Sequence, residues 1–317
     1  MGQRRAVAVC AMRSGWHRIL TLLFVAAPTC AQAAPTLTIA SWNLEWLVSP
    51  STAQASRLAC DAGRGSPLPC DVARELARDS ADLARLAHYA RKLDADVVAL
   101  QEVENAQAVR RLFRGYDFCI SAGAGVQHTG FAVRAHLAHR CNPALATLAT
   151  GDRQRAGAHL TLHPGTPQQI ELLAVHLKSG CSRDPLDTSS AACRTLVRQA
   201  AALGAWMQQR TLDRARTIVL GDFNRVGPDP NDEFWRVLQV GASKSTGFLN
   251  MSTGVAFNNC YRGQPFTQYI DHILVSRDLA AKIVRNSFRH HGYRSLDAFR
   301  YRLSDHCPIS ISLYIHP

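Results

Sequence analysis

Past Ala27 the chain has no apolar run near the ~20 residues that a membrane-spanning helix needs, so stable membrane insertion is not expected. It has no Cys-x-x-Cys pair, which removes the usual spacing of a thiolate zinc site. It has no internal repeat and no low-complexity tract, so nothing divides it into an array of small units. Acidic residues are scarce, with 24 Asp and Glu against 36 Lys and Arg. That deficit suits polyanionic partners, nucleic acid first and anionic lipid head groups second, although a basic surface also serves solubility alone.

What is present begins with the pattern of an export signal. Arg4, Arg5, Arg13 and Arg18 surround a basic start, Ile19 to Ala27 is apolar, and Ala31-Gln32-Ala33 offers small residues for cleavage before Ala34. The apolar run is too short for a membrane anchor. Cleavage after Ala33 leaves 284 of the 317 residues, the size of one large domain over residues 34–317. It removes four Arg and no acid, leaving 32 bases against 24 acids, a balance of +8. A secreted or periplasmic monomer is expected.

Of ten Cys, Cys10 and Cys30 fall in the signal and eight remain, an even number suited to disulfides in an oxidising compartment. The simplest pairing joins neighbours in sequence: Cys60 with Cys70, Cys119 with Cys141, Cys181 with Cys193, and Cys260 with Cys307.

Hydrophobic periodicity predicts strands over 36–44, 96–103, 116–121, 129–134, 158–163, 169–178, 217–224, 269–276 and 309–315. Helical spacing covers 71–93 with Asp71 as N-cap, then about 105–113, 193–210 and 231–240, while 49–69, 179–192 and 241–264 are expected to be loops. Many strands with few, well-spaced helices imply two sheets packed face to face with helices outside, an α/β sandwich. Several connections are of hairpin length, which argues against an alternating parallel fold.

Five short polar clusters stand at the ends of these apolar runs: Asn43 with Glu45, Gln101 with Glu102, His176 with Lys178, Asp222 with Asn224, and Asp305 with His306. An Asp-His dipeptide alone is an ordinary polar turn; five polar strand ends point to one site. Hard divalent cations bind through one or two carboxylates plus substrate phosphate. Glu102, ending a run expected to be buried, would be costly there without a cation or hydrogen bonds. Asn43 and Asp305 complete a candidate shell, with Glu45 a weaker fourth member. Asp222 and Asn224 pair a proton acceptor with a neutral donor, as phosphate ester hydrolysis requires. His176 and His306 titrate near neutrality, and Asp271 is placed to hold the His306 ring. Lys178 points with His176.

Ser41-Trp42-Asn43-Leu44, Gln101-Glu102, Val175-His176-Leu177, Gly221-Asp222-Phe223-Asn224, Ile270-Asp271 and Ser304-Asp305-His306-Cys307-Pro308, in this order, resemble the motifs of the endonuclease/exonuclease/phosphatase superfamily. That group includes pancreatic deoxyribonuclease, exonuclease III, sphingomyelinases and inositol-polyphosphate phosphatases. Each motif is short; the ordered set carries the resemblance.

The resemblance implies a four-layered α/β/β/α sandwich of two packed mixed sheets, with metal-dependent phosphoester cleavage at one edge. It assigns Glu102, Asn43 and Asp305 to a Mg²⁺ site, with Mn²⁺ or Ca²⁺ as alternatives. Asp222 would activate water, Asn224 would contact the scissile phosphate, and Asp271 would orient His306. His176 and His306 would stabilise the phosphoryl charge or the leaving oxygen. Lys178 and Arg225 are the candidate substrate-binding cations, within a wider track of Arg134, Arg153, Arg155, Arg194, Arg198 and Arg262. Phe257, Tyr261 and Phe266 are the stacking candidates; His272, at the opposite phase to Asp271, should face away.

Three functions fit. The first is an exported nuclease acting on DNA or RNA. The second is a phospholipid or inositol-phosphate phosphoesterase, disfavoured by the lack of a long apolar loop. The third is an inactive binding protein, disfavoured because every expected catalytic position is filled.

Overall fold

The structure is a computed structural model that describes residues 35–123, 125–151, 155–240, 247–261, 264 and 266–315. The export-signal reading over residues 1–33, and Arg153 and Arg262, lie outside the described residues.

In chain order the elements are β1 (Thr36–Leu47), α1 (Pro50–Asp61), α2 (Cys70–Glu75), α3 (Ser80–Leu93), β2 (Val97–Val103), α4 (Ala106–Arg110), β3 (Tyr116–Ile120), β4 (His128–Arg134) and β5 (His139–Leu145). They continue with β6 (Gly157–Leu162), β7 (Ile170–His176), α5 (Ala191–Leu212), β8 (Thr217–Asp222), α6 (Glu233–Val237), β9 (Phe248–Asn250), β10 (Asp271–Ser276), α7 (Arg277–Ala280), β11 (Arg289–His290), α8 (Ser295–Arg300) and β12 (Ile309–Tyr314). The strands make two six-stranded sheets, ordered β11-β12-β1-β2-β4-β3 and β5-β6-β7-β8-β10-β9. Each has one parallel pair at its centre, β1 with β2 and β7 with β8, flanked by antiparallel neighbours.

Those central strands read as near-continuous apolar runs because both of their faces are covered. Ile39, Val97, Ala99 and Phe131 of the first sheet share a core with Leu160, Leu172, Ile218 and Ile273 of the second. The alternate residues face outward. Trp42, Val98 and Leu100 pack on Leu83, Leu86, Ala90 and Leu93 of α3. Leu173, Val175, Val219 and Leu274 pack on Leu196, Leu203 and Met207 of α5. Two sheets with helices on both outer faces form the expected α/β sandwich.

All four neighbour-in-sequence disulfides are present, with Cα–Cα distances of 5.1–5.6 Å. They fit an oxidising location.

Several expected boundaries are corrected. The loop expected over 49–69 contains α1, started by Ser49, whose hydroxyl accepts from the Thr52 amide, with Pro50 in the first turn. The single helix expected over 71–93 is two helices. Asp79 opens the second, accepting from the Ala81 and Asp82 amides while the Asp82 side chain returns to the Asp79 amide. Strand β5 and the small elements α7, β11 and α8 fall where no strong periodicity exists, and β9 lies within the expected 241–264 loop.

Candidate active site

The C-terminal ends of β1, β2, β7 and β8 and the start of β10 open at one edge of the paired sheets. The register brings Asn43 beside Gln101, His176 beside Asp222, and Asp222 beside Asp271. The loop entering β12 adds Asp305 and His306. Every candidate metal and catalytic residue named from sequence thus comes together.

Local backbone distortions aim the side chains. Register shifts interrupt β1 between Asn43 and Leu47, and β2 between Leu100 and Val103. Within them Glu45, Trp46 and Glu102 hold φ values of 43°, 52° and 58°, and Asn224 holds 50°. Such left-handed conformations cost ~1–3 kcal/mol each and gather where function requires them. Simple strand alternation therefore does not explain why Asn224 meets Asp222. The strand ends at Asp222, and the turn brings the Asn224 amide to Asp222 Oδ1 at 2.8 Å and its Nδ2 to Oδ2 at 3.1 Å. Gly221 permits the approach of β8 to β7, since a Cβ there would run into the Val175 carbonyl oxygen.

Asn43 bridges the two halves. Its Nδ2 donates to Glu102 Oε1 at 3.2 Å and to Asp222 Oδ2 at 3.1 Å. Glu102 Oε2 accepts from the Trp46 amide at 3.1 Å and from Gln127 Nε2 at 2.5 Å, which in turn accepts, through its Oε1, from Arg155. His176 Nε2 lies 3.5 Å from Asp222 Oδ2 and 3.7 Å from Glu102 Oε1. His306 Nε2 lies 3.8 Å from the same Asp222 oxygen and 3.9 Å from Asp305 Oδ1. His306 Nδ1 meets Asp271 Oδ2 at 2.6 Å, the expected ring-holding contact. Ser304 fixes this loop, donating to the Asn43 carbonyl at 2.6 Å and accepting from the His306 amide at 3.0 Å. His272 faces away, fully buried, with Nε2 on the Arg225 carbonyl at 2.9 Å.

The electrostatics separate the two histidines. Burial, reinforced by Arg155 and His306, drives His176 well below its ordinary value, so it is neutral. Burial also disfavours charge on His306, but the Asp271 carboxylate and its hydrogen bond outweigh this and raise it well above 6.5, so it is an imidazolium. Burial pushes the Asp222 carboxyl up to about 7, with His306 opposing and the Asp271 and Glu102 carboxylates adding to the rise. Glu45 is likewise raised to about 7 by burial and by Asp305, whose amide donates to Glu45 Oε2 at 3.0 Å.

These carboxylates fit a hard divalent cation. Glu102, Asp305 and Glu45 supply only oxygens, and Glu45 and the adjacent Asp222 are both raised to about 7 by burial and by neighbouring carboxylates, a cost to the charged forms that a cation would offset. Among the described residues, the groups of three ligand atoms within 4.8 Å are built on disulfide-bonded cysteines and offer no competing metal centre.

Of the expected substrate-binding cations, Lys178 is half-buried, with Nζ on the Ser179 carbonyl at 2.9 Å. Arg225 needs correction. It is 3% exposed, and its guanidinium is committed to Asp232 at 2.7 Å and 2.8 Å and to the carbonyls of Cys181 and Asp184 at 2.8 Å and 2.7 Å. It holds the loop closed by Cys181–Cys193 rather than a phosphate. Arg225→Met should destabilise the fold by about 3 kcal/mol by stranding the Asp232 carboxylate. An unchanged denaturation midpoint would show that the pair is not structural.

Among the other described track candidates, Arg134 pairs with Asp94, Arg194 with the Ser189 carbonyl and Arg198 with Thr195. Arg155 is the one that reaches the site, and its Nε is buried without a partner, as is His176 Nδ1. Phe266 lies tilted against His306 with ring centroids 4.9 Å apart, whereas Phe257 packs edge-on against Tyr269 at 5.0 Å.

Two supports carried no sequence signal. Gln127 lies in an irregular stretch. Arg78, placed by the unforeseen break between α2 and α3, donates to the carbonyls of Glu45, Arg302 and Leu303 at 2.6, 2.9 and 2.7 Å, clamping β1 to the Asp305 loop.

Two mixed sheets packed face to face, with acids, amides and histidines gathered at one edge, define an α/β sandwich with a polar site at the strand ends. The chain belongs to the endonuclease/exonuclease/phosphatase family, whose model matches residues 40–306. Members of that family are phosphoric ester hydrolases, nucleases and phosphatases among them, and generally use divalent metal ions, typically Mg²⁺. No curated protein matches the chain by sequence. Among solved structures it is similar to D. rerio TDP2 complexed with single strand DNA product, at TM-score 0.53 and 21% identity over 88% of this chain and 99% of that one. It is also similar to the human Nocturnin catalytic domain with bound sulfate, at TM-score 0.51 and 15% identity over 88% and 94% of the two chains. An AP endonuclease from Archaeoglobus fulgidus gives TM-score 0.52 and 14% identity over 88% and 100%. At these identities the likeness is one of fold.

Proposed function

We propose that this chain is an exported, divalent-metal-dependent phosphodiesterase that cuts nucleic acid, DNA foremost, by attack of water on phosphorus with Asp222 as general base. The observation that carries the reading is the Asp222 carboxylate, which Asn43 and Asn224 hold beside a neutral His176 and a charged His306. The basic composition, 32 bases against 24 acids once the export signal is removed, supports a polyanionic substrate, as does the single-strand DNA product in the similar TDP2 structure.

Glu102, Asn43 and Asp305 would hold the ion, with Glu45 beside them; Mg²⁺, or Mn²⁺ or Ca²⁺ in its place, supplies positive charge to the phosphoryl oxygens when bound. Asp222 orients the water and takes its proton as the oxygen–phosphorus bond forms. Asn224 Nδ2, now on the Leu177 carbonyl at 3.1 Å and on Asp222, is the neutral donor to a phosphoryl oxygen. Neutral His176 donates to a phosphoryl oxygen, where negative charge accumulates. The His306 imidazolium, steadied by Asp271, stabilises the leaving oxygen or gives it a proton as its bond to phosphorus breaks. Arg155 and Lys178 add fixed positive charge for the substrate phosphates.

Plasmid incubated with the purified chain and Mg²⁺ should be nicked and then linearised. An intact plasmid beside hydrolysis of a small phosphodiester would reject the nuclease reading.

The pH dependence follows from the two shifts. Asp222 must be deprotonated, so kcat/KM rises through an acid limb at or below about 7. His306 must stay protonated, so the alkaline limb lies well above 6.5. Asp271→Asn removes the charge that holds the imidazolium and should move the alkaline limb toward lower pH. An alkaline limb identical in the variant would remove Asp271 from this role.

Export is proposed from the N-terminal pattern and the disulfides. The mature chain should begin at Ala34 and run as a monomer. A chain recovered from the host with Met1 still attached would contradict it.

A further inference from the structure

A cavity of about 380 Å³ opens beside the site, and Glu45, Ser304 and Asp305 are among the residues that line it. Tyr261, Phe299 and Tyr301 supply its aromatic walls, and the exposed Arg300 and Arg302 stand at its rim. Phe299 is 86% exposed and Leu296, on the same short helix α8, is 61% exposed. Together Phe299 and Leu296 leave an apolar patch in water beside the candidate site. Tyr301 already carries the Arg85 guanidinium 4.7 Å over its ring, and Tyr293, which also lines the cavity, is buried against Tyr89, which leaves Phe299 and Tyr261 as the more open rings. The Cys260–Cys307 disulfide ties Tyr261 to the residue after His306, so this wall is coupled to the catalytic loop.

We propose that this cavity receives an unpaired base of the strand being cut, stacked against Phe299 and Tyr261, while the backbone of that strand runs past Arg300 and Arg302 toward Asp305. The inference rests on the nucleic-acid reading above and deepens it. Rings next to guanidinium groups match a nucleotide, which has a neutral π-face and an anionic backbone. A base paired within a duplex is already stacked and cannot enter a concave pocket without being unpaired first. The site would therefore favour single strands, ends or frayed positions over intact duplex.

The test uses the mature chain and its Phe299→Ala and Tyr261→Leu variants, neither position being part of the metal or phosphate machinery. Substrates are a short single-stranded oligonucleotide carrying 2-aminopurine, the same sequence as duplex, and bis(p-nitrophenyl) phosphate. Loss of stacking should raise KM for the single strand roughly tenfold, with kcat and the turnover of the small phosphodiester unchanged within about twofold. The 2-aminopurine emission should fall on binding to the unaltered chain and much less on binding to Phe299→Ala. Unchanged KM in both variants would overturn the proposal, as would an equal loss on the oligonucleotide and the small phosphodiester. Phe299-dependent binding to phosphatidylserine vesicles without 2-aminopurine quenching would also overturn it, in favour of a lipid surface. If the small phosphodiester is cleaved but no oligonucleotide is, the nuclease reading fails by itself. Phe299-dependent quenching would then still support the base site, and its absence would reject it.

Discussion

Asp222→Asn should lower kcat on any phosphodiester substrate by ~10²–10⁴-fold, the range by which a positioned general base accelerates a reaction. The variant keeps the size of the side chain but cannot accept the proton of the attacking water. Its neighbours define why the loss falls on chemistry rather than folding. Asp222 is 2% exposed and raised to about 7 by burial, so a neutral group there is not costly. The Asn224 amide can still donate to the remaining oxygen, and a thermal midpoint close to that of the unaltered chain is expected. Steady-state kinetics with a thermal melt decide the point; unchanged turnover would remove Asp222 from the mechanism.

Glu102→Gln should have the second-largest effect, raising the Mg²⁺ concentration for half-maximal activity by at least ~100-fold, above the ~10–100-fold typical of losing a residue that merely supports a metal ligand. Glu102 Oε2 is fixed by the Trp46 amide and Gln127, whereas Oε1 has Asn43 at 3.2 Å and His176 at 3.7 Å. Replacing either oxygen by an NH₂ removes the charge that a hard cation requires. Titration of activity with Mg²⁺, paired with calorimetric titration of Mn²⁺, measures the shift. An unchanged half-saturation would place the ion elsewhere.

The parts of the fold that sequence revealed are those with strong periodicity and matched burial. Runs such as Val97–Leu100 and Ile218–Leu220 are buried on both faces, so their continuous apolar character marked them as strands, while their central place in the sheets came only from the structure. The helix break at 76–79 was hidden because apolar spacing continues across it, and only the Asp79 cap ends the ambiguity. That the candidate residues would lie together was legible because each sits at an abrupt polar end of an apolar run. The site's support was not. Arg78 and Gln127 reach the site from irregular segments, and Arg225 is surrounded by motif residues yet serves the Cys181 loop. Chain proximity to a motif does not say which way a guanidinium turns; that is decided by which carbonyls the fold leaves unpaired.

The account's central claim is that residues far apart in sequence form one cation-dependent phosphoester site. The most direct measurement is the initial rate of bis(p-nitrophenyl) phosphate hydrolysis by the purified chain with Mg²⁺, after EDTA, and after Mg²⁺ is restored in excess. Turnover that stops with EDTA and returns with Mg²⁺, and that is ~10²–10⁴-fold lower in Asp222→Asn when Mg²⁺ is present, is the predicted result. Turnover that persists in EDTA, or that is undiminished in Asp222→Asn, would contradict it.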